Sequence, residues 1–306
     1  MGNVILVTGA NGFIGKRLIE RLIRANKYEI VAVGRSPELA ASAGKRGFRY
    51  IQADLSTPDW TNGLDGKNRY DAVIHLAAMV SLQDSPAVRL EMYRTNVTAT
   101  LGLLELVSDQ RSKLVFASTG MVYGDQPGPF REDMITKPAN FYALTKLLGE
   151  EMIKAYSLRH GFKYVIYRTS IIYGPGQASG MFIPSMIEAL VSSREFSMTE
   201  GKQVRDFLYV DDCARALEMA SDSALEGTLN LASGVRSTLL DTGKFAGEVT
   251  GAGENLRPGA LPYRPNELWE YFMDIGKLSK ALGWRPEIGL KEGLERVAQY
   301  EKSKIK

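Results

Sequence analysis

The sequence predicts an α/β fold, a doubly wound parallel sheet joined to a smaller, partly discontinuous C-terminal lobe. Three observations predict it. Short apolar runs alternate with amphipathic, helix-like stretches through the first half of the 306 residues, the pattern of a parallel sheet covered on both faces. The first run ends in a glycine turn that opens a helix, Thr8-Gly9-Ala10-Asn11-Gly12-Phe13-Ile14-Gly15. The rhythm then changes after Tyr173, where Gly and Pro cluster at 174–180 and turn signals recur from Gly251 to Pro265.

Each element follows in order. Within the apolar stretch 1–8, residues 4–7 read as a buried strand, and the helix after it carries Phe13, Ile14, Leu18, Leu22 and Ile23 on one stripe. Further strands are expected at 30–33, 48–53 and 72–76, then a helix around 93–108 and a strand at 113–117. A helix over 140–160 and a strand at 164–168 complete the regular half. Beyond it, a helix is expected over 182–192, and 207–221 and 228–232 are regular enough to return to the main sheet. The expected division is therefore 1–172 with 207–232 as one unit, and 173–206 with 233–306 as the other.

Composition bounds the partners. With 44% hydrophobic and 24% charged residues, the net charge of +3 comes from scattered Lys and Arg rather than a basic run, so no nucleic-acid partner is expected. No apolar stretch reaches the roughly 20 residues that cross a bilayer, and the first residues lack a basic leader and cleavage site. Cys213 is the single cysteine, which leaves neither a disulfide framework nor a cysteine cluster for metal. A cytoplasmic, metal-free protein is the expectation.

The glycine turn carries the first chemistry. A pyrophosphate must approach backbone N–H groups at a helix N-terminus; side chains at Gly9 or Gly12 would block it, and Gly15 lets the helix sit close to the strand. With a strand before it and an amphipathic helix after it, the turn reads as a dinucleotide cradle of the Rossmann type, so the first unit is the dinucleotide-binding domain. Gly9, Asn11, Gly12, Phe13, Ile14 and Gly15 are its candidate contacts. Asp54 and Leu55, at the end of the third strand, are candidates for the adenine end, with turn capping by Asp54 as the alternative. The acid that binds an NAD ribose about 20 residues past the glycines is missing from Val33-Gly34-Arg35-Ser36. Arg35 and Ser36, with Lys16 or Arg17 nearby, suit a 2′-phosphate, so NADP is favoured over NAD.

A second constellation supplies proton transfer. Tyr142 and Lys146 stand at i and i+4 on one helix face, where an ammonium, and a nicotinamide cation when present, would favour the phenolate of a group that otherwise titrates near 10. Thr119, in Ser118-Thr119-Gly120-Met121-Val122-Tyr123-Gly124, ends the preceding strand at the sheet edge where such folds bind ligands.

These motifs, together with His75-Leu76-Ala77-Ala78, Asn96, Arg205-Asp206-Phe207-Leu208-Tyr209-Val210-Asp211-Asp212 and the segment 274–290, resemble the extended short-chain dehydrogenase/reductases. More narrowly, the chain resembles their nucleotide-sugar epimerases, dehydratases and reductases, over nearly its whole length. The resemblance implies Thr119, Tyr142 and Lys146 as the catalytic set. It implies Leu76, Ala77, Ala78 and Asn96 beside the cofactor (Asn96 otherwise supporting a helix), and His75 as packing. It implies Ser81, Thr119, Tyr142, Arg205 and Arg264 as substrate contacts, the two arginines on the diphosphate of a nucleotide sugar. Asp211 and Asp212 are expected to cap the following helix. Relatives pair as homodimers through the helices bearing Asn96 and Tyr142.

The reaction narrows by absences. Dehydratases of the family place an Asp-Glu pair after the active Thr, where this chain has Gly120-Met121. The 3,5-epimerising reductases need a Cys/His pair, and neither Cys213 nor His160 stands at that site. Ile171, and the region near Met181, replace asparagines that many relatives use on the substrate. Hydride transfer at a sugar carbon, most often C4, is what remains. A 4-ketoreductase using NADPH is favoured narrowly over a 4-epimerase of UDP-glucose type with bound NAD; a non-catalytic dinucleotide sensor is the remote alternative.

Overall fold

The computed structural model describes residues 3–57, 60–64, 69–81, 83–265 and 267–305. Met1 and Gly2 of the expected first strand, and Asn266 of the segment around Arg264, lie outside them. In chain order the first elements are β1 (Asn3–Thr8), α1 (Phe13–Ala25), β2 (Tyr28–Gly34), α2 (Pro37–Ser42), β3 (Arg49–Gln52) and β4 (Ala72–His75). Next come α3 (Pro86–Met92), α4 (Ala99–Gln110), β5 (Lys113–Thr119), α5 (Phe141–His160), β6 (Tyr164–Thr169), β7 (Ile171–Tyr173), α6 (Phe182–Val191) and β8 (Phe196–Met198). The remainder is β9 (Val204–Arg205), β10 (Phe207–Tyr209), α7 (Val210–Ser221), β11 (Gly227–Leu231), β12 (Ser237–Thr238), α8 (Leu239–Thr250), β13 (Leu256–Pro258), β14 (Glu270–Tyr271), α9 (Gly276–Leu282) and α10 (Leu290–Ile305).

A seven-stranded sheet runs in the order β11-β6-β5-β4-β1-β2-β3. β1 pairs in parallel with both β2 and β4, so the connections diverge at β1/β4. That divergence is the topological switch point at which doubly wound sheets bind ligands. Ile5–Thr8 and all of β4 are buried residue after residue, as expected of central strands covered on both faces. Leu6, Val31, Val73, Leu114 and Phe116 form the core with Leu103, Leu104 and Val107 of α4 and Ile153 of α5.

By chain contacts the molecule falls into two units. One comprises Met1–Gly124, Ile135–Arg168 and Ala214–Leu229; the other comprises Asp125–Met134, Thr169–Cys213 and Asn230–Lys306. In the second, Phe207–Tyr209 does not return to the main sheet as the sequence suggests but pairs in parallel with Ile171–Tyr173. Only β11 of the two expected returning segments joins the large sheet. The helix expected over 93–108 also differs. It begins as α3, passes through a widened π turn at Tyr93–Thr98, and continues as α4.

Candidate active site

The cradle is built by the turn between β1 and α1. Gly9 N (3.1 Å) and Ala10 N (3.4 Å) donate to Val33 O, and Gly12 N donates to Gly9 O at 2.9 Å. Gly15 is needed for close approach, since a Cβ there would stand 2.2 Å from Gly9 O. Gly9 has a further reason: its φ is +72°, and a Cβ would fall 2.6 Å from Ala77 N, so glycine there also clears the backbone after β4. Gly12 is the N-cap of α1 without any side-chain cap, and no acid stands in the first turn. The first-turn N–H groups therefore remain available to an anion, with the positive end of the helix behind them. A dinucleotide pyrophosphate fits this turn.

Around it, Asn11 Oδ1 accepts from the Tyr50 hydroxyl at 2.8 Å, and Ser36 N donates to the Tyr50 oxygen at 3.0 Å. Phe13, Ile14, Leu76, Ala77 and Ala78 are half-buried, while Leu55 belongs to the hydrophobic core. Asp54 accepts from Ser56 N (3.0 Å) and Ser56 Oγ (2.8 Å). Those bonds, and Arg35 nearby, hold its carboxyl below the usual range. Arg35 is exposed. Ser36 is not a free hydroxyl: it caps α2 by accepting from Leu39 N (3.1 Å) and donates to Glu38 Oε2 (2.8 Å). The sequence reading passed over Glu38, which puts a carboxylate just past the end of β2.

The candidate proton-transfer residues sit on β5 and α5. Thr119 ends β5, is buried, and accepts from Met121 N at 3.2 Å. The chain returning to α5 is pinned beside it, with Lys137 N donating to Val122 O (2.8 Å) and Ala139 N to Met121 O (3.0 Å). Asn140 then caps α5 by accepting from Ala143 N at 2.9 Å, which sets Tyr142 in the first turn. One turn on, Lys146 is buried with Nζ 3.9 Å from the centre of the Phe116 ring, a cation–π contact. Burial pushes the Tyr142 phenol up to about 12. It pulls the Lys146 ammonium down to about 7, with Glu150 opposing. Each shift is the one that burial imposes by disfavouring the charged form.

Glu150 was not singled out from the sequence. It is fully buried, accepts from Ser118 Oγ at 2.5 Å, and takes a forked contact from Arg168, whose Nη2 donates at 2.7 Å. The Ser118 hydroxyl is thereby committed, leaving Thr119 as the hydroxyl on this strand end with no carboxylate partner. The cue was Glu150 lying four residues beyond Lys146 on the same helix face.

Asn96 is a clamp. Its Oδ1 accepts from Met79 N (2.7 Å), and its Nδ2 donates to Met79 O (3.0 Å) and Thr145 Oγ1 (2.9 Å), so every amide group faces protein. His75 is buried between Thr8 and Thr100. Burial, with the Lys146 cation, depresses its pKa to about 3. Ser81 Oγ accepts from Gln83 N at 3.0 Å.

In the second unit, Arg205 Nη1 donates to Val204 O (2.7 Å) and Leu268 O (2.6 Å), and Nη2 pairs with Glu267. Arg264 is exposed. Asp211 and Asp212 stand in the first turn of α7, where acids suit the helix N-terminus; the Asp212 carboxylate also accepts from Glu287 N (3.0 Å) and Ile288 N (3.0 Å) of another segment. Cys213 is buried, which raises its thiol to about 12. Among the described residues no group of three His, Cys, Asp or Glu is placed to hold a metal, and no helix is long and apolar enough to cross a membrane.

A doubly wound sheet with an uncapped glycine turn at its switch point and a Thr/Tyr/Lys set on β5 and α5 defines an extended short-chain dehydrogenase/reductase, an enzyme class dependent on NAD(P). Within it, the chain belongs to the NAD dependent epimerase/dehydratase family, whose model matches residues 5–232. It is 30% identical to the UDP-glucose 4-epimerase of Mycolicibacterium smegmatis, over 98% of each chain. Among solved structures it resembles the UDP-glucose 4-epimerase of Thermotoga maritima, determined with UDP-glucose, at a TM-score of 0.90 and 27% identity over 99% of this chain and 100% of that one. It also resembles the UDP-glucuronic acid 4-epimerase of Bacillus cereus in complex with UDP-glucuronic acid and NAD, at a TM-score of 0.87 and 28% identity over 98% and 99% of the two chains.

Proposed function

We propose that this chain is a UDP-sugar 4-epimerase working with bound NAD. The observation that carries the proposal is Thr119 at the end of β5 with Tyr142 and Lys146 one turn apart on α5, in a unit that also holds the uncapped N-terminus of α1. The similar 4-epimerases determined with UDP-sugars support it over the 4-ketoreductase favoured from sequence. The case for NADP rested on the missing acid at the end of β2 and on Arg35 and Ser36, with Lys16 or Arg17 nearby. The Ser36 hydroxyl is engaged, and the Glu38 carboxylate beside it would repel a 2′-phosphate while accepting from ribose hydroxyls.

Bound NAD supplies the hydride acceptor and, in the return step, the donor. Tyr142 takes the proton from the C4 hydroxyl as C4 is oxidised and returns it after the ketone has presented its other face. The Lys146 ammonium favours the phenolate during that exchange and offsets the burial that otherwise holds the phenol protonated. Thr119 donates to the C4 oxygen and orients it. We assign cofactor binding to the first unit and recognition of the substrate diphosphate to Arg205 and Arg264 of the second; Arg205 would then exchange Glu267 for phosphate. We further propose a homodimer, because Leu90, Tyr93, Leu101, Leu144 and Leu148 of adjoining helices are exposed apolar residues. A cytoplasmic location completes the proposal and suits a single buried thiol; recovery of the protein in a membrane or secreted fraction would contradict it.

Tyr142→Phe tests the chemistry. Turnover of UDP-sugar should fall by about 10³-fold or more, the order of a lost general acid–base group, while dinucleotide binding stays within about twofold. A variant that still turns over near the parent rate would refute the role given to Tyr142.

A further inference from the structure

A buried string of polar side chains runs from the phosphate turn to the catalytic helix. Thr8, His75, Thr100, Asn96 and Thr145 are each at most 2% exposed, and in that order each bonds to the next. Such a string is costly to bury unless every donor finds an acceptor, so its directions can be worked out from its ends.

Thr100 Oγ1 donates its one proton to Asn96 O at 2.6 Å. At 3.2 Å from His75 Nε2 it can only accept, so the ring carries its proton on Nε2. A neutral ring then presents Nδ1 as an acceptor, and the Thr8 hydroxyl, 2.6 Å away, must donate to it. Thr8 Oγ1 in turn accepts from Ala77 N at 3.4 Å. Beyond the Asn96 backbone, Asn96 Nδ2 donates to Thr145 Oγ1 (2.9 Å), which donates to the Tyr142 carbonyl (2.7 Å). Each hydroxyl accepts once and donates once, and no second proton arrangement satisfies them all. Reversing the imidazole would set two acceptors face to face at Thr100 and two donors face to face at Thr8.

We infer that His75 is a positioning residue: as its Nε2–H tautomer it ties Thr8, which enters the glycine turn, to the helix turn that carries Tyr142. The cradle and the proton-transfer group are thereby held in one register through hydrogen bonds, and packing alone does not suffice. The inference rests on the role proposed for Tyr142. His75 takes no part in proton exchange, because both ring nitrogens are occupied by hydroxyls and the ring lies tilted against Phe116, with centroids 5.7 Å apart.

Two variants of Thr100 separate bonding from packing. Thr100→Val keeps the shape and loses the hydroxyl, whereas Thr100→Ser keeps the hydroxyl and loses a methyl group. A misplacement of about 1 Å can cost 10²-fold, so Thr100→Val should lower kcat about tenfold with the KM for UDP-sugar within about twofold. It should also weaken NAD binding, and Thr100→Ser should restore both. The opposite order, or a Val variant indistinguishable from the parent, would overturn the inference. Ring ¹⁵N shifts of His75 in the holoenzyme provide a readout independent of turnover. A neutral Nε2–H ring from pH 5 to 9 is expected, and an Nδ1–H or titrating ring would overturn the directed chain. If Tyr142→Phe retained turnover while the tautomer and the NAD-binding order of the Thr100 variants held, the acid–base role would fall and the tie to the helix would stand.

Discussion

At the scale of the residue, Lys146 is the most informative group. Its helix spacing from Tyr142 was visible in the sequence, but its burial under α5 against Phe116 was not. That burial makes a stability prediction with a definite sign. The folded-state pKa is about 7 against an ordinary 10.5, so between those values the unfolded chain holds a proton that the folded chain has released. Stability therefore rises with pH from about 7 towards 10. Tyr142 acts in the other direction only above pH 10, where the unfolded chain loses a proton that burial keeps on the folded phenol. Lys146→Met should flatten the rise in urea midpoint between pH 7 and 10; an unchanged slope would mean that Lys146 is not buried uncompensated. The β2 end shows the limits of reading residues from spacing. Glu38 lies 23 positions past Gly15 and after a proline, inside a short helix whose cap consumes Ser36. Only the folded turn shows that the carboxylate, not the serine, faces outward from this capping pair.

At the scale of the element, the glycine turn and the α5 helix were legible because each needs a fixed residue spacing. Asn140 at the cap and Gly161 just past the helix end bounded α5 as the chemistry of helix termini requires. The π turn at Tyr93–Thr98 was not legible. It depends on Asn96 finding Met79 and Thr145, and those partners come from other parts of the chain. The β10 strand was recognised as regular, but its partner was misassigned, since an apolar run does not encode which neighbour it pairs with. The helices also make a prediction about assembly. Leu144 and Leu148 are one turn apart on α5, each over a third exposed, and Leu101 on α4 is 41% exposed. Light scattering at micromolar concentration should give a dimer, and Leu148→Glu should shift it towards the monomer by burying an unpaired charge at the contact. A parent protein of monomer mass would remove the proposed interface.

At the scale of the whole molecule, the family follows from a sheet switch point, an uncapped helix N-terminus and a Thr/Tyr/Lys set, all within residues 5–232 that match the family model. The glycine turn made the dinucleotide legible from sequence, and the absence of an Asp-Glu pair after Thr119 argued against dehydration. The choice between epimerase and reductase was not legible, because both use the same three side chains and differ in whether the cofactor is regenerated. Product analysis measures that difference directly. Purified protein, supplied with UDP-glucose and with UDP-glucuronic acid and no added reductant, should convert one of them to its C4 epimer until both isomers are present at equilibrium, with no net change in absorbance at 340 nm. Absence of the epimer from both, together with stoichiometric oxidation of NADPH when a 4-keto sugar nucleotide is supplied, would contradict the epimerase and establish the reductase.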